Sequence, residues 1–153
     1  MKKMSFIVAV LAISFTAVSC KKEVSVQQGT STEAAAKEDI PNVAMSFLNN
    51  YYSNVAIAKY EVKNDVLGKS FEVKLNNGAE VEFNEAGKWN EISDPQGIDN
   101  DLVPQSIKDY VAKNYAGAHI TKVKLEKKNI KIDLSNDVDL IFDGGGNFVK
   151  VDK

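Results

Sequence analysis

The sequence predicts an α+β domain made by tandem duplication of one unit, a helix followed by a four-stranded antiparallel meander. Three observations carry this reading. Phe71–Ile92 aligns without a gap on Ile130–Val151, at a constant offset of 59 residues. Upstream, Ile40-Pro41 matches Val103-Pro104, and Phe47, Tyr52 and Ile57 fall on Tyr110, Tyr115 and Ile120. In each copy, apolar residues first recur at helical spacing and then alternate with polar ones. A repeated unit of about 50 residues sets the architecture before any single side chain is weighed. The chain divides into a signal peptide (1–19), a cysteine with a flexible tether (20–39), a first repeat (40–93), an acidic connector (94–102) and a second repeat (103–153).

Each unit opens with a helix. Pro41 and Pro104 suit the first helical position, where a missing N–H costs nothing. Ala44, Phe47, Leu48 and Tyr51 then line one helical face, as do Ile107, Tyr110, Val111 and Tyr115 in the second unit. Ser53-Asn54 and Ala116-Gly117 stop the helices. Val55–Val62 and Ala118–Leu125 are the first strands. Phe71, Val73 and Leu75 alternate with Glu72 and Lys74, and Ile130, Ile132 and Leu134 with Lys131 and Asp133, so each strand buries one face. Val81 with Phe83, and Leu140 with Phe142, continue the pattern.

Partners across a hairpin must share a face. Phe71, Val73 and Leu75 therefore face Phe83, Val81 and Ala79, which leaves the three-residue loop Asn76-Asn77-Gly78. Such loops end on a left-handed residue, and glycine adopts it without strain. Asp137 holds that place in the second unit. The next turns, Asn84-Glu85-Ala86-Gly87 and Asp143-Gly144-Gly145-Gly146, carry the Asx-first, glycine-fourth signature of type I. Trp89 and Phe148 are expected to return to the core. The two meanders are free to form one long sheet or two.

The N-terminus carries an address. Lys2 and Lys3 precede an apolar run, Phe6 to Val18, of about 13 residues, short of the ~20 that span a bilayer but suited to a signal peptide. The run ends Ala17-Val18-Ser19-Cys20, a pattern similar to bacterial lipoprotein signals in which the cysteine is lipidated. Cys20 is the single cysteine, so no intramolecular disulfide forms. Acyl chains gain ~0.8 kcal/mol per buried CH₂, so several on Cys20 would hold the chain on a membrane. Residues 21–39 are polar and aperiodic, as a tether requires, with at most a transient turn over Glu33–Glu38. Lys21 after the cysteine offers no inner-membrane retention signal, so an outer-membrane anchor facing the periplasm is expected. Without Lys2 and Lys3, 17 basic residues face 21 acidic ones, and every basic residue is lysine. An acidic balance without arginine, the preferred reader of phosphate and guanine, argues against nucleic-acid binding.

These motifs together carry a resemblance. The order Ile/Val-Pro, a helix with an aromatic, Tyr-x-x-x-x-Ile, a strand ending Leu-x-Asn-Gly, then Phe-Asn/Asp-x-x-Gly-x-Trp resembles the PepSY-like, β-lactamase-inhibitor-like periplasmic proteins of Bacteroides-type bacteria. It covers Ile40 to Val151. The second unit departs from the pattern at Asp137, in place of glycine, and at Phe148, in place of tryptophan. The resemblance implies a small envelope protein whose fold is similar to a β-lactamase inhibitor that grips its target across a sheet. No target-contact motif transfers residue by residue, and a shared fold is not a shared function.

Enzymatic chemistry finds no support in the residues. His119 is the single histidine and reads as a surface side chain. No serine sits in a nucleophile elbow, and Gly144-Gly145-Gly146 lacks the Lys-Ser/Thr of a phosphate loop. The candidate site is instead the outward strand face: Glu72, Lys74, Glu80, Glu82, Lys131, Asp133, Asp139 and Ile141. The derived register sets Glu72 against Glu82 and Asp133 against Asp139. Like charges in direct opposition are destabilising, so neighbouring lysines such as Lys88, a partner or a cation must relieve them. Ile141, opposite Lys131, is the lone apolar residue there and suits a contact surface. The expectation is a non-catalytic module that binds another envelope protein, without a cofactor. The alternative is a calcium response through Asp94, Asp99 and Asp101 of the connector, whose spacing does not match an EF-hand.

Overall fold

A computed structural model of the chain describes residues 23–25, 40–65 and 68–152. The signal peptide, Cys20 and most of the tether, including Glu33–Glu38, lie outside the described residues. In chain order the elements are β1 (Glu23–Ser25), α1 (Asn42–Tyr51), β2 (Ile57–Asp65), β3 (Gly68–Leu75), β4 (Glu80–Asn84) and β5 (Trp89–Ser93). A short 3₁₀ turn (Asn100–Leu102) leads to α2 (Gln105–Asn114), β6 (Ile120–Leu125), β7 (Asn129–Leu134), β8 (Asp139–Asp143) and β9 (Phe148–Asp152). Each half thus runs helix then four strands, and the fold is α+β.

The nine strands form one antiparallel sheet in sequence order. The join between the halves is β5 with β6, which sets Glu91 against Lys124, Ile92 against Val123 and Ser93 against Lys122. The connector adds two bonds, from Asp94 N–H to the Thr121 carbonyl (2.8 Å) and from Ile98 N–H to the Ile120 carbonyl (2.9 Å). Strand β1 pairs with β2, Val24 opposite Tyr60. The tether therefore contributes a strand that its composition does not announce.

The hairpins hold the register derived from face parity. Phe71 faces Phe83 and Val73 faces Val81; Ile130 faces Phe142 and Ile132 faces Leu140. Gly78 has φ of 90°, and Asp137, at 62°, is the sole non-glycine with positive φ among the described residues. Pro41 and Pro104 sit one place earlier than expected, as N-caps with extended ψ. Each carbonyl still accepts a helical bond, the cap's role: Met45 N–H to Pro41 at 3.0 Å and Lys108 N–H to Pro104 at 3.2 Å.

Both helices cover the same side of the sheet and make two abutting cores. Ala44 and Leu48 of α1 pack on Phe71, Val73, Val81 and Phe83; Ile107 and Val111 of α2 pack on Ile130, Ile132, Leu140 and Phe142. Edge-to-face ring contacts recur at matching positions: Phe47 on Phe83 (5.7 Å) and Tyr110 on Phe142 (5.4 Å). Trp89 and Ile98 touch both cores and so stitch them together. Phe148 departs from expectation. It stacks on Tyr110 at 4.5 Å but remains 37% exposed. Its counterpart Trp89 is roofed by the second half, whereas no described strand lies beyond Phe148.

Candidate functional site

With the helices on one side, alternation directs every second strand residue to the other. Continuous pairing aligns these residues into rows that cross the sheet. One row reads Glu61, Glu72, Glu82, Glu91, Lys124, Lys131, Ile141, Lys150 from β2 to β9. The adjacent row reads Lys59, Lys74, Glu80, Ser93, Lys122, Asp133, Asp139, Asp152. The first row is acidic in the first half and mainly basic in the second. The second row begins basic and ends acidic.

Ion pairs within and between the rows relieve the like-charge oppositions. Lys59 meets Glu61 at 2.8 Å, and Lys74 meets Glu80 at 2.9 Å and Glu72 at 3.3 Å. Lys63 donates to Glu72 from the other side. Burial pushes the Glu72 carboxyl up, but Lys63 and Lys74 together carry it below its ordinary value. The Asn90 amide donates to Glu82 at 3.1 Å. Relief of Glu72 against Glu82 thus comes from Lys63, Lys74 and Asn90, not from Lys88. In the second half Lys122 and Lys124 share Glu91 (2.6 and 2.8 Å), and Lys131 bridges Asp139 (2.9 Å) and Asp152 (3.4 Å).

Asp133 is the exception. Among these carboxylates its Oδ1 alone is buried without a hydrogen-bond partner, a state shared on this sheet by the Asn90 amide oxygen. Burial, with the Asp139 charge behind it, raises its carboxyl above the usual range; Lys131 and Lys122 offset only part of this. An orphaned buried acceptor costs about 1–3 kcal/mol, so it either stores strain or awaits a donor.

Asp133 lines a depression of about 400 Å³ walled by Lys122, Lys124, Lys131 and Lys150, with Glu126, Asn129 and Asp152 at its margins. Ile141 belongs to its lining, and there the structure corrects the sequence reading. Ile141 is on the outward face and opposite Lys131 as expected, but only 7% exposed. Lys131 and Lys150 flank it in register, and lysine stems cover apolar neighbours while their ammonium groups stay in water. Of the predicted face, Lys131, Asp133 and Ile141 line this depression and Asp139 is ion-paired to Lys131, while Glu72, Lys74, Glu80 and Glu82 form the charged patch of the first half. Glu61, Glu91, Lys122, Lys124, Lys150 and Asp152 were missed, because only the pairing of β5 with β6 brings the two patches into one surface.

The connector carboxylates do not converge. Asp94 is buried, 5% exposed, on the helix side. It accepts from Gln96 N–H at 2.9 Å and bonds the Tyr52 hydroxyl. Burial first, then the Asp94 charge and hydrogen bond, push Tyr52 up to about 12. Asp99 accepts from Asp101 N–H at 2.9 Å and caps the 3₁₀ turn. Asp94 and Asp99 share an open depression of about 520 Å³ with Tyr51, Tyr52, Asn100 and His119; Asp101 is not part of it. Among the described residues, no three His, Cys, Asp or Glu side chains are grouped to hold a metal ion. As arranged, this donor set does not fit calcium, which takes six to eight oxygens.

A family model described as "Putative beta-lactamase-inhibitor-like, PepSY-like" matches residues 69–150. Among solved structures, a "putative calcium-regulated periplasmic protein" of Bacteroides thetaiotaomicron is 32% identical, with a TM-score of 0.71 over 76% of this chain and 92% of that one. A periplasmic protein of unknown function from Bacteroides vulgatus is 29% identical, TM-score 0.72, covering 76% and 94%. A further B. vulgatus periplasmic protein is 26% identical, TM-score 0.72, covering 86% and 98%. No curated protein matches the chain.

Proposed function

This chain belongs to the PepSY-like, β-lactamase-inhibitor-like family, and from that premise we propose that it is a non-catalytic cell-envelope lipoprotein that binds another envelope protein through its strand face. The periplasmic solved relatives support the location. The signal sequence and Cys20 support a lipid anchor, which we place on the outer membrane facing the periplasm. We also read the two halves as copies of one ancestral unit, a view supported by the constant offset and the matching ring contacts.

One observation carries the binding reading: the buried, unpartnered Asp133 Oδ1 beside the lysine-walled depression lined by Ile141. Lys122 and Lys124 share Glu91, Lys150 shares Asp152 with Lys131, and Lys131 also pairs with Asp139, so these lysines are ion-paired and a partner's carboxylates would exchange for the internal ones. The fitting partner presents carboxylates to these lysines and one hydrogen-bond donor to Asp133. Charge complementarity of this kind mainly sets specificity and encounter rate. The test is affinity capture from solubilised native envelopes with the full chain. Lys131→Glu with Lys150→Glu should abolish capture of the wild-type partner, and undiminished capture would refute the assignment. A calcium response is the alternative. It rests on the description of one relative, and the connector carboxylates do not support it.

A further inference from the structure

The two halves share their internal strand pairing, and this singles out one edge. Val81 opposite Ile92 corresponds to Leu140 opposite Val151, and Phe83 opposite Trp89 to Phe142 opposite Phe148; both ladders carry a bulge at the same place. The outer side of β5 is taken by β6. The outer side of β9, its counterpart, meets no strand among the described residues. The consequence shows in exposure. Ile92 is fully buried, whereas Val151 is 42% exposed, and Val149 and Phe148 on the same strand are 53% and 37% exposed.

The β5–β6 join shows what such an edge accepts. Opposite charges face each other at Glu91 and Lys124, and apolar residues at Ile92 and Val123. The Asp94 N–H donates to the Thr121 carbonyl, so by alternation the backbone of Ile92, two residues earlier, also addresses β6. The matching residue, Val151, therefore turns its N–H and C=O to the open side.

We propose that this edge pairs with the same edge of a second copy, antiparallel and centred on Val151. A two-fold axis there sets Val151 against Val151 of the second copy. It also sets Lys150 against Asp152 of the second copy, twice over. The result repeats the opposite-charge pair and the apolar pair of the β5–β6 join, and places a second opposite-charge pair where that join has Ser93 against Lys122. Centring the axis one residue earlier instead sets lysine against lysine, and pairing out of parity sets Lys150 on the wrong face. Such an interface is isologous and closes as a dimer. It extends one sheet through both copies and brings the two lysine-walled depressions to either side of the axis, since Lys150 and Asp152 line each. An unpaired edge with exposed valines is otherwise an aggregation hazard, which proteins usually blunt with charge, proline or cover.

The experiment is oxidative cross-linking and sedimentation of the full chain in detergent. Residues centred on an antiparallel hydrogen-bonded pair sit about 5.5 Å apart at Cα, within reach of a disulfide. Val151→Cys should give a covalent dimer on oxidation, while the wild-type chain with Cys20 alone should not. Val151→Lys places two ammonium groups on the axis and should weaken the dimer at least ~10-fold, with unchanged circular dichroism and melting temperature. A wild-type chain that stays monomeric up to ~1 mM, far above the concentrations at which specific dimers form, overturns the proposal. So does a dimer untouched by Val151→Lys, which would place the contact elsewhere, or a Val151→Cys chain that sediments as a dimer but does not cross-link.

Discussion

Replacing Asp133 by asparagine should stabilise the free protein, and should do so only above acidic pH. The carboxyl is raised in the folded state, chiefly by burial and next by Asp139. A raised carboxyl binds its proton more tightly folded than unfolded. Folding stability from this group therefore falls as pH rises from the unfolded value near 3.9 through the higher folded value, and is level beyond it. Asparagine mimics the protonated acid at every pH. Its gain over the wild type should be near zero below pH ~4 and then grow to a plateau. An orphaned buried acceptor costs about 1–3 kcal/mol. Asp133 is only partly buried and Asp139 can still polarise the new amide, so ~1 kcal/mol is expected at pH 7, or about 4 °C for a domain of this size. Thermal unfolding followed by far-ultraviolet circular dichroism from pH 4 to 8 measures it. A lower melting temperature for the variant at pH 7, or a gap that ignores pH, would refute the account of Asp133 as an uncompensated carboxylate.

Other consequences follow from the core, the turns and the connector. Phe83→Ala and Phe142→Ala empty equivalent, fully buried sites and should each cost about 3–5 kcal/mol. Because Trp89 and Ile98 belong to both cores, each variant should shift one cooperative urea transition rather than split it, and two resolved transitions would refute the coupling. Asp137→Gly should stabilise by roughly 0.5 kcal/mol, since φ of 62° strains any side chain. Gly87→Ala should cost ~2 kcal/mol or more, because φ is 76° and the new Cβ would lie 2.9 Å from Pro41 Cβ; equal stability in either variant would contradict the turn assignment. Millimolar calcium against chelator should move the melting temperature by no more than about 1 °C, given that Asp94 and Asp99 are already engaged by Tyr52, Gln96 and Asp101. A larger rise that Asp99→Asn with Asp101→Asn abolishes would restore the connector as a calcium site.

What was legible in the sequence was local. Turn length and face parity determine a hairpin's register, so the pairs Phe71–Phe83 and Ile130–Phe142 could be deduced without coordinates. Backbone stereochemistry likewise identified Asp137 as the strained position. Non-local pairing was not legible. Nothing in residues 94–102 states whether β6 joins β5, and without that join the charged rows remain two unrelated patches. Strand β1 is invisible for a related reason, since three residues carry no period and their partner lies across the gap to β2. Asp94 misled because acidic connectors are usually solvated. The available signal was Asp94-Pro95-Gln96-Gly97, an Asx-first, glycine-fourth turn that ties the carboxylate to its own backbone. Ile141 misled because alternation reports which face a residue is on, not whether its neighbours cover it.

The two halves share an apolar core pattern and invert much of their surface charge. At the offset of 59, Phe71, Val73, Val81 and Phe83 become Ile130, Ile132, Leu140 and Phe142, all apolar. On the other face Glu72 becomes Lys131, Lys74 becomes Asp133, Glu82 becomes Ile141 and Glu91 becomes Lys150. Packing against a helix constrains the first set. Nothing about folding requires the second, since a face of glutamates and lysines in either order can be ion-paired. The inversion has a consequence for recognition. A partner that offers carboxylates to Lys122, Lys124, Lys131 and Lys150 meets repulsion from Glu61, Glu72 and Glu82 at the equivalent place in the first half, and misplaced like charges exclude a binding mode as firmly as good contacts favour one. The two halves, alike in backbone, should therefore provide one site per chain and not two. Calorimetric titration with a captured partner would read a stoichiometry of one per chain. A value of two would mean that the shared backbone, and not the charge pattern, is what the partner recognises.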